Sequence, residues 1–194
     1  MFGKKFVSQF LPAEAVSIPF NAAVMTMANR MNPKGWDVVD LAPNSLHGLT
    51  LHYRCTGKIA VWSGASENTI FACPEHNYAF RAWHDSTHLQ IQQDFSLAGE
   101  AATAFAQCAD LLDQYGLDED TREFCAMILT EVVGQSAHYQ LTGDFVADQR
   151  KFFADNIKAY RFLANRVIDV AYREAQPGNR LAFLALARKM YGAG

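Results

Sequence analysis

His84 and His88, in the run Trp83-His84-Asp85-Ser86-Thr87-His88, are the residues of this 194-residue chain best suited by type and spacing to do chemistry. On a helix, residues four apart sit above one another on one face, so both imidazoles can reach a single ion. Phe80, Ile91 and Phe95 extend that stripe, whereas Ser86, Gln90 and Gln93 fall on the other side. The pair is therefore expected to point inward, where two imidazoles are costly unless hydrogen-bonded or bound to metal. A single histidine on an apolar face is usually a satisfied core residue; two at this spacing favour a divalent metal.

Glu100 follows His88 by twelve positions and opens the segment Gly99-Glu100-Ala-Ala-Thr-Ala-Phe-Ala. The linker 92–99 is long enough to turn the chain back, and Ala101, Ala102, Ala104 and Ala106 permit close approach of the two helices. Glu100 then faces the histidines and completes a His₂Glu set with the fourth position open to water. Taken alone, an acidic residue in a first helical turn is only a favourable dipole partner.

A second constellation lies in the segment 121–142, where Phe124, Ile128, Glu131, Gln135 and His138 fall on one stripe. Its other face carries Ala126, Leu129, Val133 and Ala137, so the whole helix is expected to be interior. A carboxylate, an amide and an imidazole there need partners. One account puts Glu131 at the metal or its water, with Gln135 and His138 or Tyr139 donating to substrate; the other is a buried polar network holding helices in register.

The order of helix, strands, H-[ED]-x-x-H helix and E-x-x-A-x-x-F-A helix resembles the minimal gluzincin metallopeptidases that cleave phage and stress repressors. The residues that carry it are Phe80, Ala82, His84, Asp85 and His88, then the run Glu100-Ala-Ala-Thr-Ala-Phe105-Ala106, within roughly residues 15–112. The resemblance implies a zincin-like fold, Zn²⁺ held by His84, His88 and Glu100, and hydrolysis of a peptide or amide bond. It also places a general base at position 85, where the family has Glu and this chain has the shorter Asp85. Either Asp85 or Glu131 then accepts the water's proton, with His138 or Tyr139 steadying the oxyanion. Two other readings stand beside this one. Five candidate ligands (His84, His88, Glu100, Glu131, His138) resemble in outline a helical dinuclear iron oxidase of ferritin-like type, although its Glu-x-x-His pairs are missing: Thr103 and Gly134 occupy those places. An inactive, metal-stabilised interaction protein is the other.

The elements that position these residues divide near residue 76. Before it, 18–31 reads as a helix with Pro19 in its first turn and Asn32-Pro33 closing it. The runs 49–55, 58–62 and 69–73 read as strands, and 35–41 as a short additional one. After Pro74, five helices are expected at 76–95, 98–115, 118–142, 145–175 and 178–191, with Asp118 and Asp144 as N-caps. Gly99, Gly116, Gly143 and Pro177-Gly178 punctuate them. The fold class is thus α+β: a small N-terminal sheet with a helix (1–75), then a helical layer carrying the site (76–194), in one domain.

Composition supports that frame. Half the residues are apolar and 19% are charged, enough for a full core. A net charge of −3 argues against a nucleic-acid partner, which needs a basic face. The four cysteines form no C-x-x-C pair and read as thiols in a reducing compartment. No membrane-spanning run or signal peptide is evident, so a cytoplasmic location is expected.

Overall fold

The computed structural model describes residues 17–174 and 179–192, the side chains of 172–174 apart. The expected absence of a signal peptide, and the Pro177-Gly178 break, fall outside the described residues. The described chain is mostly helical, with two short strands near its N-terminal end. Helix α1 (Ile18–Met31) starts at Ser17, whose hydroxyl accepts from the Phe20 N–H at 3.2 Å, with Pro19 in its first turn. Strand β1 (Trp36–Val39) pairs in parallel with β2 (Ile59–Trp62), Trp36 opposite Ile59. The expected α+β class holds, but the sheet is smaller than the sequence suggests.

The run 49–55 is helical, not a strand: α2 (Leu46–Thr56) crosses between β1 and β2. Its ends decide this. Ser45 accepts from the Gly48 N–H, and Gly57 closes the helix in the left-handed region at φ 72°. The alternating Leu49, Leu51 and Tyr53 then share no buried side; only Leu49 is fully buried. Nor is 69–73 a strand. Ile70 and Phe71 enter the core, but side chains rather than a neighbouring strand satisfy the backbone: Asn21 Oδ1 accepts from Ala72 N–H and Arg150 donates to the Thr69 carbonyl.

The helical layer comprises α3 (Pro74–Ile91), α4 (Leu97–Tyr115), α5 (Glu119–Leu129), α6 (Gln135–Thr142), α7 (Gln149–Glu174) and α8 (Arg180–Tyr191). Asp118 caps α5 as expected, whereas Asp148 rather than Asp144 caps α7, accepting from the Lys151 N–H. The expected helix over 118–142 is interrupted by a π turn at Thr130–Gly134. Phe20, Met27, Phe71, Trp83, Phe105, Leu111 and Phe183 form one continuous core across α1, α3, α4 and α8. Among the described residues, no helix is long and apolar enough to cross a membrane.

Candidate metal centre

Helix α3 presents His84 and His88 on one face, as their spacing predicts. Its C-terminal end bends back at Gln92, in the left-handed region at φ 55°. That turn brings the Gln93 carbonyl to within 2.9 Å of His88 Nδ1, which donates to it. Ser96 then caps α4, accepting from the Gly99 N–H, and Asp94 Oδ1 accepts from the Ser96 hydroxyl at 2.6 Å. Gly99 packs directly against the Asp94 carbonyl, leaving no room for a Cβ. This tight return places Glu100, in the first turn of α4, against the histidines.

The three side chains converge. His84 Nε2 and His88 Nε2 lie 2.9 Å apart, and Glu100 oxygens lie 3.0 and 3.5 Å from them. Ligands about 2.0–2.2 Å from one tetrahedral ion are separated by roughly 3.3 Å, so the three atoms need only small adjustments to share a metal. Among the described residues these are the three that cluster so.

The far side of each ring is fixed. His84 Nδ1 donates to Gln107 Oε1 at 3.2 Å; His88 Nδ1 donates to Gln93, and Thr103 Oγ1 lies 3.2 Å from it. With both Nδ1 atoms protonated, both Nε2 lone pairs face the common point, the arrangement by which outer groups prepare imidazoles for a metal. Glu100, Thr103 and Gln107 recur at helical spacing on α4, an otherwise apolar helix, and that pattern was open to sequence inspection.

Electrostatics tie the group together. Burial works against charge on His84, but Glu100's charge and hydrogen bond prevail and push its pKa to about 9. Burial likewise opposes ionisation of Glu100, yet the His84 charge and the hydrogen bond that His84 Nε2 donates hold it at about 2. Burial first, then the His84 charge, lowers His88. Without an ion the cluster is a His84 imidazolium held between a carboxylate and a neutral ring.

A cleft of about 440 Å³ opens beside the cluster, reached by His84 and Glu100 but not by the fully buried His88. Glu131 and Gln135 line it too, and burial pushes Glu131 to about pKa 7 against the opposing pull of the Gln135 amide and the Arg81 charge. Glu131 sits in the π turn, a distortion that recurs at functional sites. Asp85 is also pushed up to about 7 by burial, within electrostatic reach of His84, Glu100 and Arg81, but it does not line the cleft.

Compared with protein-family models, with curated proteins and with solved structures, the chain finds no match. The site's meaning therefore rests on its own residues.

Several expectations need correction. His138 and Tyr139 do not line the cleft: His138 packs edge-on against Phe152, and Tyr139 is half exposed and stacked on Phe145. An α-helix turns about 100° per residue, and the extra residue of the π turn shifts everything after it by about that much. Ser136 consequently enters the cleft as His138 leaves it. Helix α6 is not interior either; none of its residues is buried. Glu131 and His138 stay outside the three-residue cluster, so the five ligands of a dinuclear iron site are not brought together. Ser86, expected on the polar side of α3, is buried and donates to Asn32 Oδ1 at 2.7 Å, tying α3 to the end of α1.

Sequence reasoning also missed Arg81. Its guanidinium stacks over Trp62 at 5.4 Å and donates to the carbonyls of Trp62, Gly64 and Ala65. It pins the loop after β2 to α3 and lies within electrostatic reach of Glu131, which shares the cleft, and of Asp85, one turn further along the same helix.

Proposed function

We propose that this protein is a zinc-dependent hydrolase acting on a peptide or amide bond, of gluzincin-like chemistry. The observation that carries this is the convergence of His84, His88 and Glu100 with both Nδ1 atoms tied away from the common point. A His₂Glu donor set would leave a fourth position for water, and two of its members, His84 and Glu100, line the cleft. Zinc bound there supplies Lewis acidity and lowers the pKa of a water to about 7.

The chain's own groups supply the remainder. Glu131 lines the cleft with a carboxyl poised near pKa 7, suited to accept a proton near neutral pH and return it to the leaving nitrogen. Asp85, the position that the family resemblance nominates, lies outside the cleft lining, so Glu131 takes the base role and Asp85 tunes the charge around His84. Gln107 and Thr103 hold the rings in the ligating tautomer.

The test is metal analysis of protein purified without chelator, followed by cleavage assays on a fluorogenic peptide library. One zinc per chain, lost in His84→Ala, and cleavage lost in Glu131→Gln with zinc retained, are expected. Stoichiometric zinc in His84→Ala refutes the site. Zinc without cleavage of any library member refutes the hydrolase and leaves a metal-stabilised interaction protein.

A further inference from the structure

Beside the cleft lies a buried hydrogen-bond acceptor that the described residues leave unused. Gln149, the first residue of α7, lines the cleft with His84, Glu100 and Glu131, and its Oε1 is buried without a partner among the described residues. A buried carbonyl left unmade is unfavourable, and such a group in a binding cleft is satisfied when a ligand donates to it. Its polar neighbours are engaged within the protein. Asn77 donates to Ser66 and Arg81 to three backbone carbonyls.

The walls around that acceptor are apolar and open. Phe145 is 82% exposed and Trp62 is 48% exposed, although both line the cleft. Phe145 is backed by Tyr139, with ring centroids 4.7 Å apart, so it is held at the rim. Large aromatic surfaces beside a polar centre mark a place where an apolar group is covered on binding. Arg81, with its guanidinium turned to carbonyls and stacked on Trp62, is not arranged to receive a substrate carboxylate.

We infer that the cleft takes a peptide segment bearing a bulky apolar side chain, which packs on Trp62 and Phe145 while a backbone N–H donates to Gln149 Oε1 as the amide turns from its buried position into the cleft. This rests on the hydrolase proposed above, because the bond to be cut must lie at the cluster. The segment enters past the exposed aromatic rim and reaches Glu131 and the open metal position with its N–H already held.

Isothermal calorimetry on the zinc-loaded full chain tests this with three probes: acetohydroxamate, N-acetyl-phenylalanine hydroxamate, and the latter with its acetamide nitrogen methylated. The benzyl-bearing probe should bind about tenfold or more tighter than acetohydroxamate, as expected for covering an aromatic ring. Methylation of the amide should weaken it about threefold to tenfold, the scale of one hydrogen bond. Gln149→Leu should bring the N–H and N-methyl forms to equal affinity, and Phe145→Ser should reduce the benzyl advantage. Equal affinity of wild type for all three probes overturns the inference while leaving the metal site standing. So does an unchanged N–H to N-methyl ratio in Gln149→Leu. If none of the probes binds zinc-loaded protein, the open metal position is refuted, and this inference with it.

Discussion

Gln107→Leu separates a prepared metal site from a buried polar network that merely resembles one. Gln107 is completely buried; its Oε1 accepts from His84 Nδ1 and its Nε2 has no partner. Leucine removes the acceptor, stranding an imidazole N–H at a cost of about 1–3 kcal/mol. It also removes the orphaned amide N–H₂, relieving a penalty of about the same size. The two changes offset, so the metal-stripped variant should unfold within about 1 kcal/mol of wild type. Zinc affinity behaves differently, because the ring is no longer held with Nε2 toward the ion. Loss of such an outer partner weakens binding about 10–100-fold. Competition against a fluorescent zinc chelator at pH 7 measures that loss, and chemical denaturation of the stripped protein measures stability. Gln107→Glu, which keeps an acceptor, should retain binding. Unchanged zinc affinity in Gln107→Leu refutes the reasoning; so does a stability loss above about 3 kcal/mol, which would make Gln107 a purely structural residue.

Other perturbations follow from the same geometry. His84 is raised from 6.5 to about 9, so its contribution to the metal-stripped protein is complete below pH 6.5 and lost as pH climbs through 9. Asp85 and Glu131, raised to about 7, are still half protonated at pH 7 and add about half a kcal/mol each in the same direction; denaturant titrations from pH 7 to 9 should show about 3 kcal/mol lost, about 2 of it from His84, and Glu100→Gln should remove the larger part of that slope. Gly99→Ala forces a Cβ onto the Asp94 carbonyl and should cost about 1–3 kcal/mol and weaken zinc binding, read by thermal unfolding and chelator competition. Asp85→Asn should retain most peptide cleavage whereas Glu131→Gln should lose it, and the reverse outcome would return the base to position 85. Cys108 and Cys125 are fully buried and should resist alkylation in the native protein while exposed Cys55 reacts, as peptide mass mapping will show.

Much of the helical layer and the ligand triplet was legible in the sequence. The i, i+4 pairing of His84 and His88 is a property of any helix, and the alanine-rich helix carrying Glu100 announced close packing through composition alone. Helices α1, α4 and α8 follow their expected spans closely, because 3.6-residue periodicity and local caps agree there, whereas α3 ends at Ile91, four residues before its expected end at 95, because the chain turns at Gln92 and leaves Phe95 outside the helix. The small sheet was harder. The alternation of 49–55 satisfies a strand pattern as readily as it fits a helix with few buried positions, and the Ser45 and Gly57 caps settled it. Residues 69–73 have strand-like composition but no strand beside them, which no local pattern can report.

What the sequence determined by itself is which groups are the candidate ligands: side-chain type and helical spacing fix that two imidazoles share a face and that a carboxylate opens the next helix. The tertiary structure decided everything that depends on phase and neighbours. One extra residue in the π turn rotated His138 and Tyr139 out of the cleft, left Glu131 beside the cluster and brought Ser136 in. The packing of α4 against α3 set Gln107 behind His84, and the turn at Gln92 set a carbonyl behind His88. Ligand identity is a local property of the chain, whereas the tautomer, the base and the open side of the site arise from contacts between segments distant in sequence.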